Sequence, residues 1–202
     1  MERILEDLVG RSSDWLEARY QERRSLTLSV RNGHFEQCSS VRTRGVGLRA
    51  LAASAFGFAS TTDLSKRGLA DAARAAGKLA AAAAAETHRP PVRLAPVPPA
   101  RGVFRVQTAD PVDAHSLEEK IELVLHLDAR ARRASARITA SSVTYSETCE
   151  DRILATTEGT LVRVIDAKPS LRILAVAASH GEQAMGVQTA GVSGGWSELA
   201  NA

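Results

Sequence analysis

Histidine is the first residue type to test for chemistry, because it serves both as a metal ligand and as a general base. The chain has five histidines. A zinc site requires ligands at short spacing, such as two histidines one helical turn apart. His115 and His126 flank one predicted helix, but they lie too far apart in sequence to share a helical turn. We therefore predict no metal ligand among His34, His88, His115, His126 and His180.

The local sequence contains no motif of a catalytic nucleophile or of a phosphate-binding loop. The serines stand in no GxSxG motif. Cys38 and Cys149 are far apart and form no CxxC pair, so reduced structural thiols are expected. Gly45 and Gly47 begin like a phosphate loop, but no third glycine or Lys-Ser/Thr follows in register. The paired carboxylates, Glu118-Glu119 and Glu150-Asp151, are interpreted as a helix amino terminus and a polar turn. The sequence therefore predicts no catalytic site in this chain.

Composition favours a globular protein of mildly basic charge. Of 202 residues, 44% are hydrophobic but only 4% aromatic, and the formal net charge is +3. The arginines occur in short groups, yet nucleic-acid binding would favour aromatic residues between them, so that partner is disfavoured. No stretch approaches the roughly 18 apolar residues of a membrane span, and the first residues lack a signal-peptide core. A soluble, cytoplasmic protein without a membrane partner is expected.

The elements of the first part of the chain, 1–85, are predicted to be a helix, a β-meander and a second helix. Ser12-Ser13-Asp14 before WLEARYQERR is an N-cap signal that predicts a further helical start. Residues 26–41 predict a hairpin around Asn32-Gly33, the strongest short turn signal. A separate third strand follows, in which Gly45 and Gly47 allow close approach of neighbouring backbone. Asp63 is the expected cap of an alanine-rich helix over 64–85.

The second part of the chain repeats this outline after a connector. Prolines are dense enough over 86–112 to exclude a helix or a central strand. Ser116 and Glu119 form a capping box for a helix to about Ser135, with Leu117, Ile121, Val124 and Leu125 expected as its buried stripe. This helix and the antiparallel strands after it make up the half 113–192, with turns at Glu158-Gly159 and His180-Gly181, and the Gly-rich tail 193–202 is predicted to lack a closing element. The predicted class is α+β, with two helix-plus-antiparallel-sheet halves joined by a Pro-rich connector.

Two stretches of sequence resemble the TldD/PmbA family of metalloproteases. The run LTLSVRNGHFEQCSSVRTRGVGLRALAASAFGFASTTDLS is similar to the amino-terminal signature of that family. The runs LEEKIELVLHLDARARRASARI and TTEGTLVRVIDAKPSLRILAVAASHGEQAMGV are similar to its TldD branch. The resemblance covers about 25–190. Its motif residues are candidate structural or interface positions: Asn32, Gly33, Gly45, Gly47, Arg49, Gly57 and Phe58.

The resemblance implies a soluble metallopeptidase acting on peptides or unfolded chains, usually as a dimer. Metal-bearing members of the family use a His-Glu-x-x-x-His helix and a later Cys, downstream of the matched region. Zinc is thus expected in full-length catalytic members, while no catalytic residue and no cofactor is expected in this chain. The chain is interpreted as a non-catalytic, amino-terminal part that lacks the catalytic carboxyl-terminal part.

Three functions are compatible with these observations. The first is that the chain forms part of a TldD-like protease, in which it contributes dimer contacts and surfaces that line the cleft for an extended peptide. Alternatively, it is a naturally short interaction protein that pairs with a full-length TldD/TldE-type subunit. The third possibility is an Arg-rich nucleic-acid-binding module, whose phosphate contacts would weaken steeply with salt.

Overall fold

The computed structural model describes residues 1–87 and 89–200, except for the side chain of Ala200, so His88 lies outside the described residues. Four α-helices and seven strands are present in these residues. The helices are α1 (Glu2–Gly10), α2 (Lys66–Ala85), α3 (Leu117–Arg133) and α4 (Trp196–Ala200). The strands are β1 (Trp15–Arg31), β2 (His34–Ala52), β3 (Ala55–Thr61), β4 (Arg101–Arg105), β5 (Ile138–Thr156), β6 (Leu161–Ser179) and β7 (Glu182–Gly191), and a single 3₁₀ turn covers Val112–Ala114.

The strands form one seven-stranded sheet, so the α+β class predicted from sequence is confirmed. The order is β3-β2-β1-β5-β6-β4, and β7 also pairs with β6. β2 pairs antiparallel with β3, and β6 pairs antiparallel with β7. β4, which lies within the proline-rich segment, pairs parallel with the first residues of β6 at the end of this order. That place suits a proline-flanked strand, because prolines are tolerated at sheet edges.

The contacts within the chain define two compact units. Unit 1 comprises Met1–Glu22, Thr43–Arg105 and Glu150–Ile165. Unit 2 comprises Arg23–Arg42, Val106–Cys149 and the chain from Asp166 onward. Each unit gathers segments that are distant in sequence, because β1, β2, β5 and β6 contribute residues to both. The domain boundaries expected from sequence follow the order of elements along the chain, and they stay a prediction.

The core of unit 1 lies between the sheet and helix α2. Leu69, Ala76 and Ala80 of α2 are fully buried in one cluster with Val46 and Leu48 of β2. The helix begins slightly later than the sequence predicted. Its N-cap is Ser65, whose hydroxyl accepts from the Gly68 N–H. Asp63 instead accepts from the Ser65 N–H, which lowers the pKa of the Asp63 carboxyl.

The core of unit 2 is closed by helix α3, and its buried face differs from the predicted stripe. Val124 is fully buried, but Leu117 and Leu125 are 41% and 37% exposed. The charged residues Lys120 and Asp128 are buried on this face of α3 instead of the two leucines. Both charges are compensated: the Lys120 ammonium lies 2.9 Å from a Glu147 carboxylate oxygen, and Asp128 is held by several donors described below. The Ser116–Glu119 capping box is confirmed.

Several predicted breaks in the strands are wrong. The N-cap signal at Ser12–Asp14 leads into strand β1, not into a helix. The separate third strand is the continuation of β2. Glu150-Asp151 lies inside β5 and not in a turn, and Glu150 accepts a 2.7 Å bond from Gln21. Cross-strand partners of this kind satisfy polar groups that would otherwise favour a loop. The tail is also not open, because Trp196 begins α4 and stacks on His115.

The hairpin tip gives a first test of the turn chemistry. Asn32 and Gly33 both have positive φ, +50° and +83°. We expect Gly33→Val to lower stability by about 2 kcal/mol, because a β-branched residue resists positive φ. The melting temperature should fall by roughly 4–8 °C for a chain of this size. Gly33→Asn is the matched control and should keep most of the stability, since Asn tolerates this conformation; equal melting of both variants with the parent would contradict the turn.

Candidate functional site

The strongest candidate for a binding site is a groove on the face of the unit 1 sheet that points away from α2. Val46, Leu48 and Ala50 of β2 are buried toward α2. Side chains alternate along a strand, so Gly47 and Arg49 lie on the other face. A cavity of about 410 Å³ opens there. We call it the Arg49 groove, and its lining residues are Glu17, Arg19, Gly47, Leu48, Arg49, Phe58, Ala59 and Ser60.

Register in the sheet brings three of the predicted site residues into this groove. Arg49 is the direct cross-strand partner of Phe58, and Gly47 is the partner of Ser60. Neighbours opposite each other in a sheet have Cβ atoms roughly 5 Å apart. The shape of the groove depends on Gly47, because a Cβ at this position would meet no atom within 4 Å. The missing side chain at Gly47 therefore leaves the depression open.

A buried carboxylate lies at the base of the Arg49 groove. The Glu17 side chain is 8% exposed. Its Oε1 accepts a 2.7 Å bond from Arg19 Nε, and its Oε2 accepts a 3.0 Å bond from Arg49 Nη2. Arginine–carboxylate pairs of this kind are geometrically specific. Since both oxygens accept from arginine, Glu17 orients the two guanidinium groups.

Aromatic rings hold Arg49 from its other side. Its guanidinium carbon lies 5.3 Å from the ring centroid of Trp15 and 5.1 Å from that of Phe56. The two rings meet edge to face at 6.0 Å. Cation–π contacts within about 6 Å stabilise such an arrangement. Next to this ordered cluster the Phe58 side chain is 62% exposed. The groove thus offers an orientated cation and an exposed ring, which are features of a binding surface.

The other predicted site residues have different environments. Gly57 lies under α2, where an added Cβ would be 2.1 Å from the Ala76 carbonyl oxygen. A Cβ at Gly45 would be 3.1 Å from the Thr61 carbonyl oxygen. Asn32 and Gly33 belong to unit 2, at the hairpin tip.

Sequence reasoning missed the β1 residues of the groove. Trp15, Glu17 and Arg19 alternate with Leu16 and Ala18, which are buried in the unit 1 core. This period of two was present in the run WLEAR and is the signal that could have identified a half-buried strand. The N-cap interpretation of the preceding residues concealed it.

Among residues 1–87 and 89–200, no group of three or more His, Cys, Asp or Glu side chains could hold a metal ion. No helix in that part of the chain is both long and apolar enough to cross a membrane.

The two cysteines should differ in reactivity. Cys38 is exposed, whereas Cys149 is half-buried. Burial, followed by the nearby Glu147 carboxylate, raises the pKa of the Cys149 thiol. A raised pKa leaves less of the nucleophilic thiolate at neutral pH. We expect a disulfide reagent to modify Cys38 roughly tenfold or more faster than Cys149 in the native chain. Cys38→Ser and Cys149→Ser chains assign the two phases, and equal rates for both would contradict the expectation.

Comparison with known proteins places the groove within a family domain. Residues 16–80 match the model for PmbA/TldA metallopeptidase domain 1, and residues 110–201 match that for the PmbA/TldA metallopeptidase central domain. A metalloprotease TldD homolog from Haemophilus influenzae is 25% identical over 84% of this chain and 34% of its own length. A Synechocystis metalloprotease is 28% identical over 98% of this chain and 42% of its own length.

A solved structure shows the same fold. TldE from Thermococcus kodakarensis superposes with a TM-score of 0.69 at 15% identity, over 94% of this chain and 41% of that one. The chain therefore spans about two fifths or less of the length of the relatives that it matches. Both family models together cover most of its residues, from 16 to 80 and from 110 to 201. The chain belongs to the PmbA/TldD metallopeptidase family.

Proposed function

We propose that this chain is a non-catalytic, amino-terminal region of a PmbA/TldD-type protein that pairs with a TldD- or TldE-like subunit through the Arg49 groove. The observation that carries the proposal is the exposed Phe58 ring opposite the fixed Arg49 side chain. Aromatic residues and arginine are enriched at protein interfaces and dominate their binding energy. The function so assigned is assembly of a cytoplasmic metallopeptidase dimer, whose zinc would be held elsewhere in the full-length family members.

The ordered state of Arg49 supports binding in this groove. Its hydrogen bond to Glu17 and its contacts with Trp15 and Phe56 fix the guanidinium before any partner arrives. A side chain that is already ordered loses little entropy on association. The depression at Gly47 gives room for one side chain of the partner, because nothing lies within 4 Å of the position of a Cβ.

A second role concerns the extended peptide substrate. Strand β3 ends the strand order, and an edge strand can bind an extended chain through backbone hydrogen bonds without regard to its sequence. Such binding suits a protease of peptides or unfolded proteins. In this role the groove would line the peptide cleft of the assembled enzyme.

The pairing proposal is tested by filling the groove. In Gly47→Leu the new side chain should occupy the open space of the groove. It should weaken association with a purified full-length TldD- or TldE-type protein at least tenfold, measured by sedimentation velocity. Phe58→Ala should weaken it at least tenfold as well, since truncation of a hot-spot residue costs about 2 kcal/mol or more, roughly thirtyfold. Gly186→Leu in β7 is the matched control, because a Cβ there also meets nothing within 4 Å.

Peptide hydrolysis with added zinc separates the catalytic alternatives. We expect no cleavage of an unfolded protein by this chain alone, and an altered rate when it is mixed with a TldD-type protein. Cleavage by the chain alone would contradict the non-catalytic assignment. Association that Gly47→Leu and Phe58→Ala leave unchanged would contradict pairing through the groove. Binding of an oligonucleotide that weakens steeply with salt would favour the nucleic-acid alternative instead.

A further inference from the structure

A second cavity, in unit 2, has no part in the proposed pairing. It has a volume of about 430 Å³ and lies on the sheet face whose strands β1, β5 and β6 contribute Arg31, Ser142, Thr144 and Arg172. Ala140, Ser141 and Leu174 complete its wall, and the Ser141 hydroxyl donates to the buried Asp128 carboxylate. None of these lining residues is a carboxylate. The cavity therefore presents two positive charges and two hydroxyls, with a short apolar surface between them.

Strand alternation explains why these side chains share one face. Along β5, Val143 and Tyr145 are fully buried in the unit 2 core, together with Leu28 of β1 and Leu171 of β6. Residues one position away must point to the opposite face of the sheet. Ser142 and Thr144 therefore point away from α3, as does Arg172.

The polar groups of this cavity are available to a ligand. In the part of the chain that the structure describes, no hydrogen bond or ion pair engages the side chains of Ser142, Thr144 or Arg172. Arg31 has one ionic contact, a 3.4 Å contact with Glu36 in which both side chains are largely exposed. Exposed pairs of this type contribute little and are readily exchanged. Both guanidinium groups can thus turn toward an anion.

We infer that this cavity binds an acidic stretch of an extended polypeptide, through carboxylates held by Arg31 and Arg172. Arginine binds a carboxylate with two parallel hydrogen bonds, and a serine or threonine hydroxyl can donate a further one. Ala140 and Leu174 fit the aliphatic stems of glutamate side chains. No aromatic ring is among the lining residues, so the cavity lacks the stacking surface that single-stranded nucleic acids use.

The test uses the full chain and fluorescently labelled peptides in an anisotropy titration. A peptide with three consecutive glutamates should bind, and the same peptide with glutamines should bind at least tenfold more weakly. Arg172→Gln should weaken binding of the glutamate peptide about tenfold, as expected for loss of a charged hydrogen bond. Thr144→Val, which removes only a hydroxyl, should weaken it by a smaller factor of about three.

The control is Arg93→Gln, which removes the same charge from an exposed position outside the cavity. It should leave the affinity unchanged. Equal weakening by Arg93→Gln and Arg172→Gln would overturn the site in favour of diffuse charge attraction. Absence of binding up to about 1 mM peptide would overturn it as well. Tighter binding of a single-stranded oligonucleotide through Arg31 and Arg172 would also overturn it. No TldD- or TldE-type partner is present in this titration, so failure of the pairing proposal leaves this result unaffected.

Discussion

Replacement of Gly57 by alanine should be among the most damaging single changes in unit 1. A Cβ at this position would lie 2.1 Å from the Ala76 carbonyl oxygen and 2.3 Å from the Ala80 backbone nitrogen. Both atoms belong to the backbone of α2, so no side-chain rotation can relieve the overlap. The helix would have to move away from β3, which opens the core around Leu69 and Ala76. We expect a loss of about 3 kcal/mol or more in the free energy of unfolding.

The matched control is Gly47→Ala on the neighbouring strand β2. A Cβ there meets nothing within 4 Å, and alanine restricts the unfolded chain more than glycine does. We expect no loss of stability, or a gain of up to about 1 kcal/mol. Urea unfolding, followed by circular dichroism, measures the free energy of unfolding of both variants. A midpoint for Gly57→Ala equal to that of the parent would show that α2 does not approach β3 this closely.

This close approach illustrates what sequence can and cannot predict. The alanine-rich composition of 64–85 indicated a helix, and its small side chains permit such an approach. The residues actually buried are Leu69, Ala72, Ala76 and Ala80, while Leu79 is 54% exposed. The rotation of a helix about its axis depends on the surface that it meets. The core that α2 joins includes residues of β1, β2 and β5, and periodicity within the helix contains no information about them.

Local chemistry was the most predictable part of the fold. The Ser116–Glu119 capping box needs only four consecutive residues, and it forms as predicted. The turns at Asn32-Gly33 and His180-Gly181 likewise adopt the positive φ angles that their residue types favour. The start of β1 was missed, because a serine–aspartate cap signal and a period of two overlap there. Pairing with other strands decided between the two, and that pairing is a tertiary effect.

Buried charges were the least predictable feature. Helix α3 was expected to bury Leu117 and Leu125, yet it buries Lys120 and Asp128. Their partners, Glu147 and Ser141, lie on strand β5. A charge enters a protein interior only when such partners satisfy it. No pattern within α3 reveals groups that come from another element. The buried Glu17 carboxylate of the groove likewise has a partner on a different strand, Arg49.

Loss of the Asp128 carboxylate should have the largest effect in unit 2. The side chain is fully buried and accepts three hydrogen bonds. Its donors are the Gly33 N–H at 2.8 Å, Arg132 Nε at 2.9 Å and the Ser141 hydroxyl at 2.5 Å. Asp128→Ala would leave the Ser141 hydroxyl and the Gly33 amide without this acceptor. Removing one partner of a buried charged network costs roughly 3–5 kcal/mol. Asp71→Ala, which breaks only exposed pairs with Arg67 and Arg74, should cost about 0.5 kcal/mol or less.

A local measurement separates this network from a general loss of packing. Asn32 remains bonded to the Ser141 backbone in Asp128→Ala, through its side-chain oxygen at 2.8 Å and its N–H at 3.1 Å. The hairpin tip should therefore stay formed while the Gly33 amide loses its acceptor. We expect hydrogen exchange at Gly33 to accelerate more than exchange at Val143 in the core, where opening requires global unfolding. Uniform acceleration at both amides would mean that Asp128 supports the unit as a whole and does not hold the hairpin tip.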